Sequence, residues 1–284
     1  MAGKLYLCAT PIGNLGDMTA RVLETLQSVD VIAAEDTRNS IKLLNHFDIK
    51  VPMTSYHEYN KVEKAEELIR QMEAGRNIAL ITDAGTPAIS DPGEVLVRKC
   101  QESGIDVTSL PGPAACITAL TLSGLSTRRF CFEGFLPSDK KEKKEVLEDL
   151  IDESRTMIVY EAPHHLVRTL QDLYQTLGNR KLTICRELTK KFETVLPTTF
   201  EEALEKYEKE DPRGEYVLVI QGKSLSDRKQ ETINSWQEMS IEQHMEYYEN
   251  DPAQAMEHKE AMKQVAKDRG ISKREVYQYL LKNS

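Results

Sequence analysis

The chain has 284 residues with 40% hydrophobic and 29% charged side chains, enough for two globular domains plus a smaller piece. The formal net charge of −9 and a sequence pI near 5.4 argue against a protein that coats nucleic acid, although a local basic patch stays open. No apolar run approaches the roughly 20 residues needed to span a bilayer, and no basic-then-apolar leader opens the sequence, so no membrane association is expected.

Lys4–Thr10 reads as a strand that empties into Pro11-Ile12-Gly13-Asn14-Leu15-Gly16-Asp17, and Thr19 then caps a helix through Gln27. Strands follow at Asp30–Ala34, Val51–Tyr56, Asn77–Thr82 and Asp106–Leu110, with helices at Lys61–Ala74 and Glu94–Ser103 between them. Such alternation predicts a mostly parallel sheet covered on both faces. The richest stretch is Asp83-Ala84-Gly85-Thr86-Pro87-Ala88-Ile89-Ser90-Asp91-Pro92-Gly93. Its glycines allow close approach of the backbone to a ligand and its prolines stiffen the loop. With the loops after the first strand and at Leu110-Pro111-Gly112-Pro113, it predicts one crevice at the carboxyl ends of the strands. An ordinary βα turn is the alternative.

A small-residue helix is expected at Ala114–Ser123. A second α/β domain follows, with strands at Arg129–Phe135, Thr156–Tyr160, Lys181–Arg186 and Tyr216–Gln221 and helices at Lys140–Ser154, His164–Leu177 and Phe200–Lys209. Gly222–Asp227 looks like a linker, and 228–284 is polar and helical. The predicted domains are therefore 1–112, 113–224 and 225–284. Charge is segregated in the last of them: 225–258 holds two Lys/Arg against eight Asp/Glu, and 259–284 holds seven against three. Within Ala261–Leu281 a helix, a Gly270 turn and Ser272 capping a second helix suggest a helix-turn-helix, with Lys267, Arg269, Lys273 and Arg274 available to nucleic acid.

Cys8, Cys100, Cys116, Cys131 and Cys185 form no C-x-x-C pair and read as core residues in a reducing compartment. No His/Cys/Asp cluster has metal-ligand spacing, so no metal is expected; the adjacent His164 and His165 would diverge on a helix.

Five motifs in order, Thr10–Asp17, Ala34-Glu35-Asp36-Thr37-Arg38, Asp83–Pro87, Leu110–Pro113 and Tyr160-Glu161-Ala162-Pro163-His164, with the closing strand Gly214–Ile220, resemble the tetrapyrrole methylase superfamily. They are most similar to its branch that methylates ribosomal RNA. The resemblance spans about residues 4–222, with a helical module beyond. It implies S-adenosyl-L-methionine held between two α/β domains, a homodimer and a cytoplasmic setting. It also implies transfer to the ribose 2′-oxygen of a cytidine in the decoding region of 16S rRNA, cytidine 1402. An acidic chain with few evident RNA contacts suggests that the substrate is the structured 30S ribosomal subunit.

By that resemblance Asp83, Gly85, Thr86, Ala88 and Ile89 form the cofactor loop, the last four through their backbone, and Pro11 lines the same crevice. Thr86 departs from relatives that methylate tetrapyrroles, which often carry Asp there. Ala114 and Ala115 open the helix beside the methionine end, and Tyr160, Glu161, Ala162, Glu215, Tyr216 and Val217 enclose the adenosine. A ribose hydroxyl has a pKa well above neutral, so help with its proton is useful: Asp17, Glu35, Asp36, Glu58 and Glu161 are candidates, none of them singled out as the base, and late transfer to water is the alternative. Glu35 and Asp36 end a strand, and Arg38 could hold a phosphate; a helix cap by Asp36 or Thr37 is the alternative. His57 and Glu58 end another strand, where an aromatic cluster could stack on a base. Arg186, Lys190 and Lys191 could meet phosphates, and Lys140–Lys144 could form a basic flap; solvated loops and a capped helix start are the alternatives. Two other functions stay open: a tetrapyrrole C-methyltransferase, and a ligand-sensing DNA-binding regulator.

Overall fold

The structure is a computed structural model that describes residues 2–224, 233–250 and 255–283. The chain divides into two compact units, Met1–Gly222 and Lys223–Ser284.

The first unit contains two sheets. Strands β1 (Leu5–Cys8), β2 (Val31–Ala34), β3 (Met53–Ser55), β4 (Ile78–Ile81) and β5 (Val107–Leu110) form one, in the order β3-β2-β4-β1-β5. Every pairing is parallel, so all five loops after the strands emerge at one edge. β2 and β4 are buried along their whole length, the continuous apolar pattern of strands covered on both faces. Helices α1 (Ala20–Ser28) and α2 (Thr37–His46) belong to one side; α3 (Lys61–Glu73) and α4 (Gly93–Glu102) carry Leu68, Met72 and Leu96 to the other. Thr19 caps α1 by accepting from the Val22 amide at 3.3 Å, as its sequence position predicts.

Helix α5 (Ala115–Leu122) leads to the second sheet. There β6 (Phe130–Phe135), β7 (Thr156–Glu161), β8 (Lys181–Arg186), β9 (Thr194–Thr199) and β10 (Tyr216–Ile220) take the order β6-β7-β10-β8-β9. Only β6–β7 is parallel. One face buries against α6 (Lys140–Leu150), α7 (Leu166–Leu177) and α8 (Phe200–Tyr207), and the other against Cys116, Ala119 and Leu120 of α5. Strand β9 is absent from the sequence reading. Its Pro197 breaks the usual strand pattern, but β9 is the sheet edge, where a missing amide donor is tolerated. Helix α6 ends at Leu150, four residues before its predicted end, where the Glu153 carboxylate turns back to accept the Arg155 amide at 2.6 Å. At its start Asp139 accepts from the amides of Lys141 and Glu142, the helix cap its sequence position predicts.

The second unit holds α9 (Ile241–Asn250), α10 (His258–Arg269) and α11 (Lys273–Asn283) around Met245, Val265 and Val276. Of the predicted linker, 225–227 lie outside the described residues, as do 228–232 and 251–254 of the tail. Gly270 takes a left-handed conformation between α10 and α11, and Ser272 and Glu275 cap α11 reciprocally. Lys267, Lys273 and Arg274 lie on or near the surface, but Arg269 turns inward. Its guanidinium donates to the carbonyls of Met239 and Ser240 and to His244 Nδ1 at 3.1 Å. The expectation that Arg269 reaches nucleic acid is therefore corrected: its donors fasten the module together.

His244 is fully buried between the rings of Trp236 and Tyr248. Burial, and then the Arg269 charge, push its pKa below the ordinary 6.5; Asp268 nearby opposes this only in part. A histidine depressed in the folded state contributes stability above its unfolded pKa, and that stability is lost as pH falls through the folded value. Acidification from pH 7 to 5 is thus expected to open this module ahead of the α/β body. Hydrogen exchange of α9–α11 against β1–β5 checks this, and equal protection loss in both would contradict it.

Candidate functional site

The first sheet's loop edge and the second sheet enclose a cavity of about 480 Å³, within the usual range for small-molecule sites. From the first sheet come Ile12, Glu35, Thr82–Thr86 and Ile89–Asp91; Ala114–Cys116 open α5 beside them. From the second come Phe135, Tyr160–Pro163, Leu188 and Glu215–Val217.

Two loops build the floor. Thr10 and Gly85 exchange backbone hydrogen bonds of 2.9 and 3.0 Å, joining the turns after β1 and β4. Gly85 has φ +85°, which a side chain would strain. Thr10 Oγ1 donates to the Thr82 carbonyl at 3.1 Å, and Thr82 Oγ1 donates to Glu35 Oε2 at 2.7 Å. Thr86 Oγ1 donates to the Pro113 carbonyl at 3.0 Å, tying the loop to the entry of α5. Gly112 fits that entry because a Cβ there would stand 2.6 Å from the Ala9 Cβ.

Ala88 and Ser90 also have positive φ, at 68° and 59°, without being glycine. Backbone strain of this kind persists where neighbours over-determine it. Here the Asp91 carboxylate accepts from the amides of Ala88 (3.0 Å), Ile89 (3.3 Å) and Gly93 (2.7 Å). Ser90 in turn meets the β6 bulge, where a Cβ on Gly134 would lie 2.9 Å from Ser90 Oγ. The bulge precedes Phe135, whose ring stands edge-on to Tyr160 at 5.6 Å. Tyr160 Oη accepts the Cys116 amide at 2.9 Å, so a phenol from β7 caps the otherwise uncapped start of α5.

The wall carries five carboxylates, Glu35, Asp83, Asp91, Glu161 and Glu215, and no Lys, Arg or His among the described residues. Desolvation raises the pKa of both Asp83 and Asp91, and the Glu35 charge adds to each. Backbone and side-chain hydrogen bonds oppose those shifts.

Glu35, Asp83, Gly85, Thr86, Ile89, Ala114, Ala115, Tyr160, Glu161, Ala162, Glu215, Tyr216 and Val217 thus stand on one wall. Other predicted residues do not. Pro11 is replaced there by its neighbour Ile12, and Ala88 lies behind the wall with its amide bonded to Asp91. The Ile89 amide is taken by Asp91 as well. Asp36 caps α2 and pairs with Arg38, whose guanidinium holds its carboxyl down at about 2; the Arg38 side chain is 89% exposed. His57 and Glu58 follow β3, separated from β4 by β2; Glu58 pairs with Lys61, and the His57 amide donates to Asn60. Strand alternation places Arg186 on the face of Leu182 and Ile184, beside Tyr207 and opposite the α5 face. Lys190 is held by Glu187 and Glu215 at 2.9 and 2.8 Å, with its methylenes over Gly13. It serves the junction between loops and is not free for a phosphate.

Sequence reasoning passed over Ile12, Thr82, Asp91, Phe135 and Leu188 as site residues. Asp91-Pro92-Gly93 ahead of a helix is a legible turn signal for the loop clamp. Phe135 and Leu188 reach the wall through a bulge and a β8–β9 loop that carry no such signal.

The model of the tetrapyrrole (corrin/porphyrin) methylase family matches residues 4–204. The chain is 48% identical over 275 residues to ribosomal RNA small subunit methyltransferase I of Halalkalibacterium halodurans, covering 97% of this chain and 93% of the relative. It is 45% identical to the protein of that name from Bacillus subtilis, with the same coverage. Its fold is similar to that of diphthine synthase, with TM-score 0.61, 12% identity and coverage of 78% of this chain and 91% of the other. It is likewise similar to uroporphyrin-III-C-methyltransferase from Thermus thermophilus, with TM-score 0.55, 18% identity and coverage of 76% and 94%. The chain belongs to the tetrapyrrole methylase family.

Proposed function

We propose that this chain is an S-adenosyl-L-methionine-dependent methyltransferase of small-subunit ribosomal RNA. Its acceptor is the ribose 2′-oxygen of cytidine 1402 in 16S rRNA, presented on the assembled 30S subunit. The reading takes the domains as 1–112, 113–224 and 225–284, and places a homodimer in the cytoplasm. Full-length similarity to relatives named for small-subunit rRNA supports the substrate class. The exposed apolar residues Ile117 and Leu122 on α5 are in keeping with a subunit contact.

The observation that carries the cofactor reading is the wall: among the described residues it has five carboxylates, no cationic side chain, and apolar surface from Ile12, Phe135, Leu188 and Val217. Such a wall attracts a cation with a flat apolar body and repels phosphate. S-adenosylmethionine fits both demands and supplies an electrophilic methyl with its own leaving group. Gly85, Thr86 and Ile89 are the loop side of its site, Ala114 and Ala115 flank the methionine end, and Tyr160–Ala162 with Glu215–Val217 enclose the adenosine. Pro11 and Ala88 support this surface from behind. The protein then has to align the acceptor oxygen within about 3 Å of the methyl and manage one proton.

Arg38, fully outside the cavity on the same loop edge, is the RNA-phosphate contact, with Asp36 orienting it. His57 with the exposed Tyr59 extends that edge as a stacking platform, and Glu58 beside them pairs with Lys61. Arg186, on the face of the second sheet opposite α5, is not part of this site. A tetrapyrrole bearing carboxylates suits the acidic wall less well, and the inward Arg269 weakens the case for a DNA-binding regulator.

The test uses methyl-labelled cofactor with 30S subunits, naked 16S rRNA and a tetrapyrrole precursor as parallel acceptors. Label in 2′-O-methylated cytidine from the subunits is expected; transfer to the tetrapyrrole alone would overturn the reading. Gly85→Arg is expected to abolish calorimetric cofactor binding while the circular dichroism spectrum is kept, and unchanged affinity would contradict the loop assignment. Arg38→Ala is expected to lower methylation about tenfold at unchanged cofactor affinity, the effect of removing one charged hydrogen bond. A parallel fall in cofactor affinity would make Arg38 part of the cofactor site.

A further inference from the structure

We propose that Glu35 is the group that accepts the substrate hydroxyl proton, and that Thr82 is the positioning residue that sets it. The assignment rests on the ribose-hydroxyl reading of the same cavity.

Four of the five wall carboxylates are already engaged. Asp91 has both oxygens on backbone amides. Glu161 accepts the Ala162 amide at 2.8 Å on one oxygen and the Thr169 hydroxyl at 2.5 Å on the other. Asp83 accepts from the Asp36 amide on one oxygen and from Asn39 on the other, both at 3.3 Å. Glu215 has one oxygen on the Lys190 ammonium at 2.8 Å, an ammonium that Glu187 shares, and its side chain is 78% exposed, so its charge is paired and solvated whereas Glu35 has no cationic partner among the described residues. Glu35 differs: Oε2 receives the Thr82 hydroxyl at 2.7 Å, and Oε1 takes no hydrogen bond from the described residues. The remaining acids weighed for this role, Asp17, Asp36 and Glu58, do not line the cavity.

The local structure makes Glu35 a rigid acceptor. It directly follows β2, which is buried throughout, and β2 pairs with β4 so that Ala34 lies opposite Ile81. Glu35 and Thr82 therefore stand side by side just beyond the ends of adjacent strands. Thr82 is itself buried, and its carbonyl is held by Thr10. One carboxylate oxygen is thereby fixed, and the other is left for a ligand.

The chemistry balances without a further reactant. The acceptor oxygen forms the new O–C bond while the C–S bond of the cofactor breaks and its electron pair stays on sulfur. The hydroxyl proton goes to Glu35 Oε1 and then to water. Proton removal by a positioned side chain contributes about 10²–10⁴-fold.

The full-length protein, 30S subunits and labelled cofactor supply the test. Glu35→Gln, which keeps size and the Thr82 contact, is expected to lower kcat about 100-fold or more. KM for 30S subunits should stay within about twofold, and the calorimetric Kd for S-adenosylmethionine should rise by much less than kcat falls, because loss of a wall charge weakens the bound cation only modestly whereas a kcat effect of this size marks an interaction made in the transition state. Thr82→Val is expected to lower kcat about tenfold by freeing the carboxylate, at the same cofactor Kd, and Thr82→Ser should restore it. Full kcat in Glu35→Gln, or a loss explained by weaker cofactor binding, would overturn the assignment while leaving the substrate reading intact. A wild-type protein inert on 30S subunits would overturn both.

Discussion

Two backbone hydrogen bonds between Thr10 and Gly85 join the turns after β1 and β4, and the geometry of the site depends on that junction. It brings Ile12 and Gly85 within contact of each other and sets the Thr10–Thr82–Glu35 chain. The same loop continues into residues whose backbone would relax if released. Ala88 and Ser90 hold positive φ because Asp91 collects three amides with one carboxylate. Local strain is thus converted into a fixed loop surface, and the loop can meet a ligand without first being ordered.

Charge gives that surface its selectivity. Gathering carboxylates around an enclosed volume is unfavourable, and the upward shifts at Asp83 and Asp91 record the desolvation and mutual repulsion involved. The protein offsets much of this internally: backbone amides satisfy Asp91, Thr169 and the Ala162 amide satisfy Glu161, and Lys190 pairs with Glu215. The uncompensated remainder favours a cation. A sulfonium meets that condition before methyl transfer, and the neutral thioether left afterwards does not. Under the proposed function, the wall would favour the sulfonium cofactor over its thioether product by the same electrostatics.

Much of the first sheet was legible because parallel buried strands announce themselves as short apolar runs between helical patterns, and β1–β5 lie inside their predicted spans. The crevice was legible for a related reason: three glycine- and proline-rich turns at strand ends have few other uses. What escaped depends on partners that spacing does not encode. Asp36 and Glu35 are adjacent and alike, yet only Glu35 continues from β2 onto the wall while Asp36 turns into the helix cap. The amides of Ala88 and Ile89 looked available until Asp91 was seen to take them. Lys190 and Arg269 counted as free positive charges in the sequence and are internal fasteners in the fold. β9 was hidden by Pro197, which the edge of a sheet accepts and its interior does not.

If the carboxylate-walled cavity between the two sheets selects a cationic, adenosine-bearing ligand, affinity must follow charge. Calorimetric titration of the full-length protein with S-adenosylmethionine, S-adenosylhomocysteine and adenosine triphosphate tests it most directly. The sulfonium is expected to bind tightest, the thioether more weakly and the triphosphate not at all. Binding of the triphosphate as tightly as the sulfonium would contradict it.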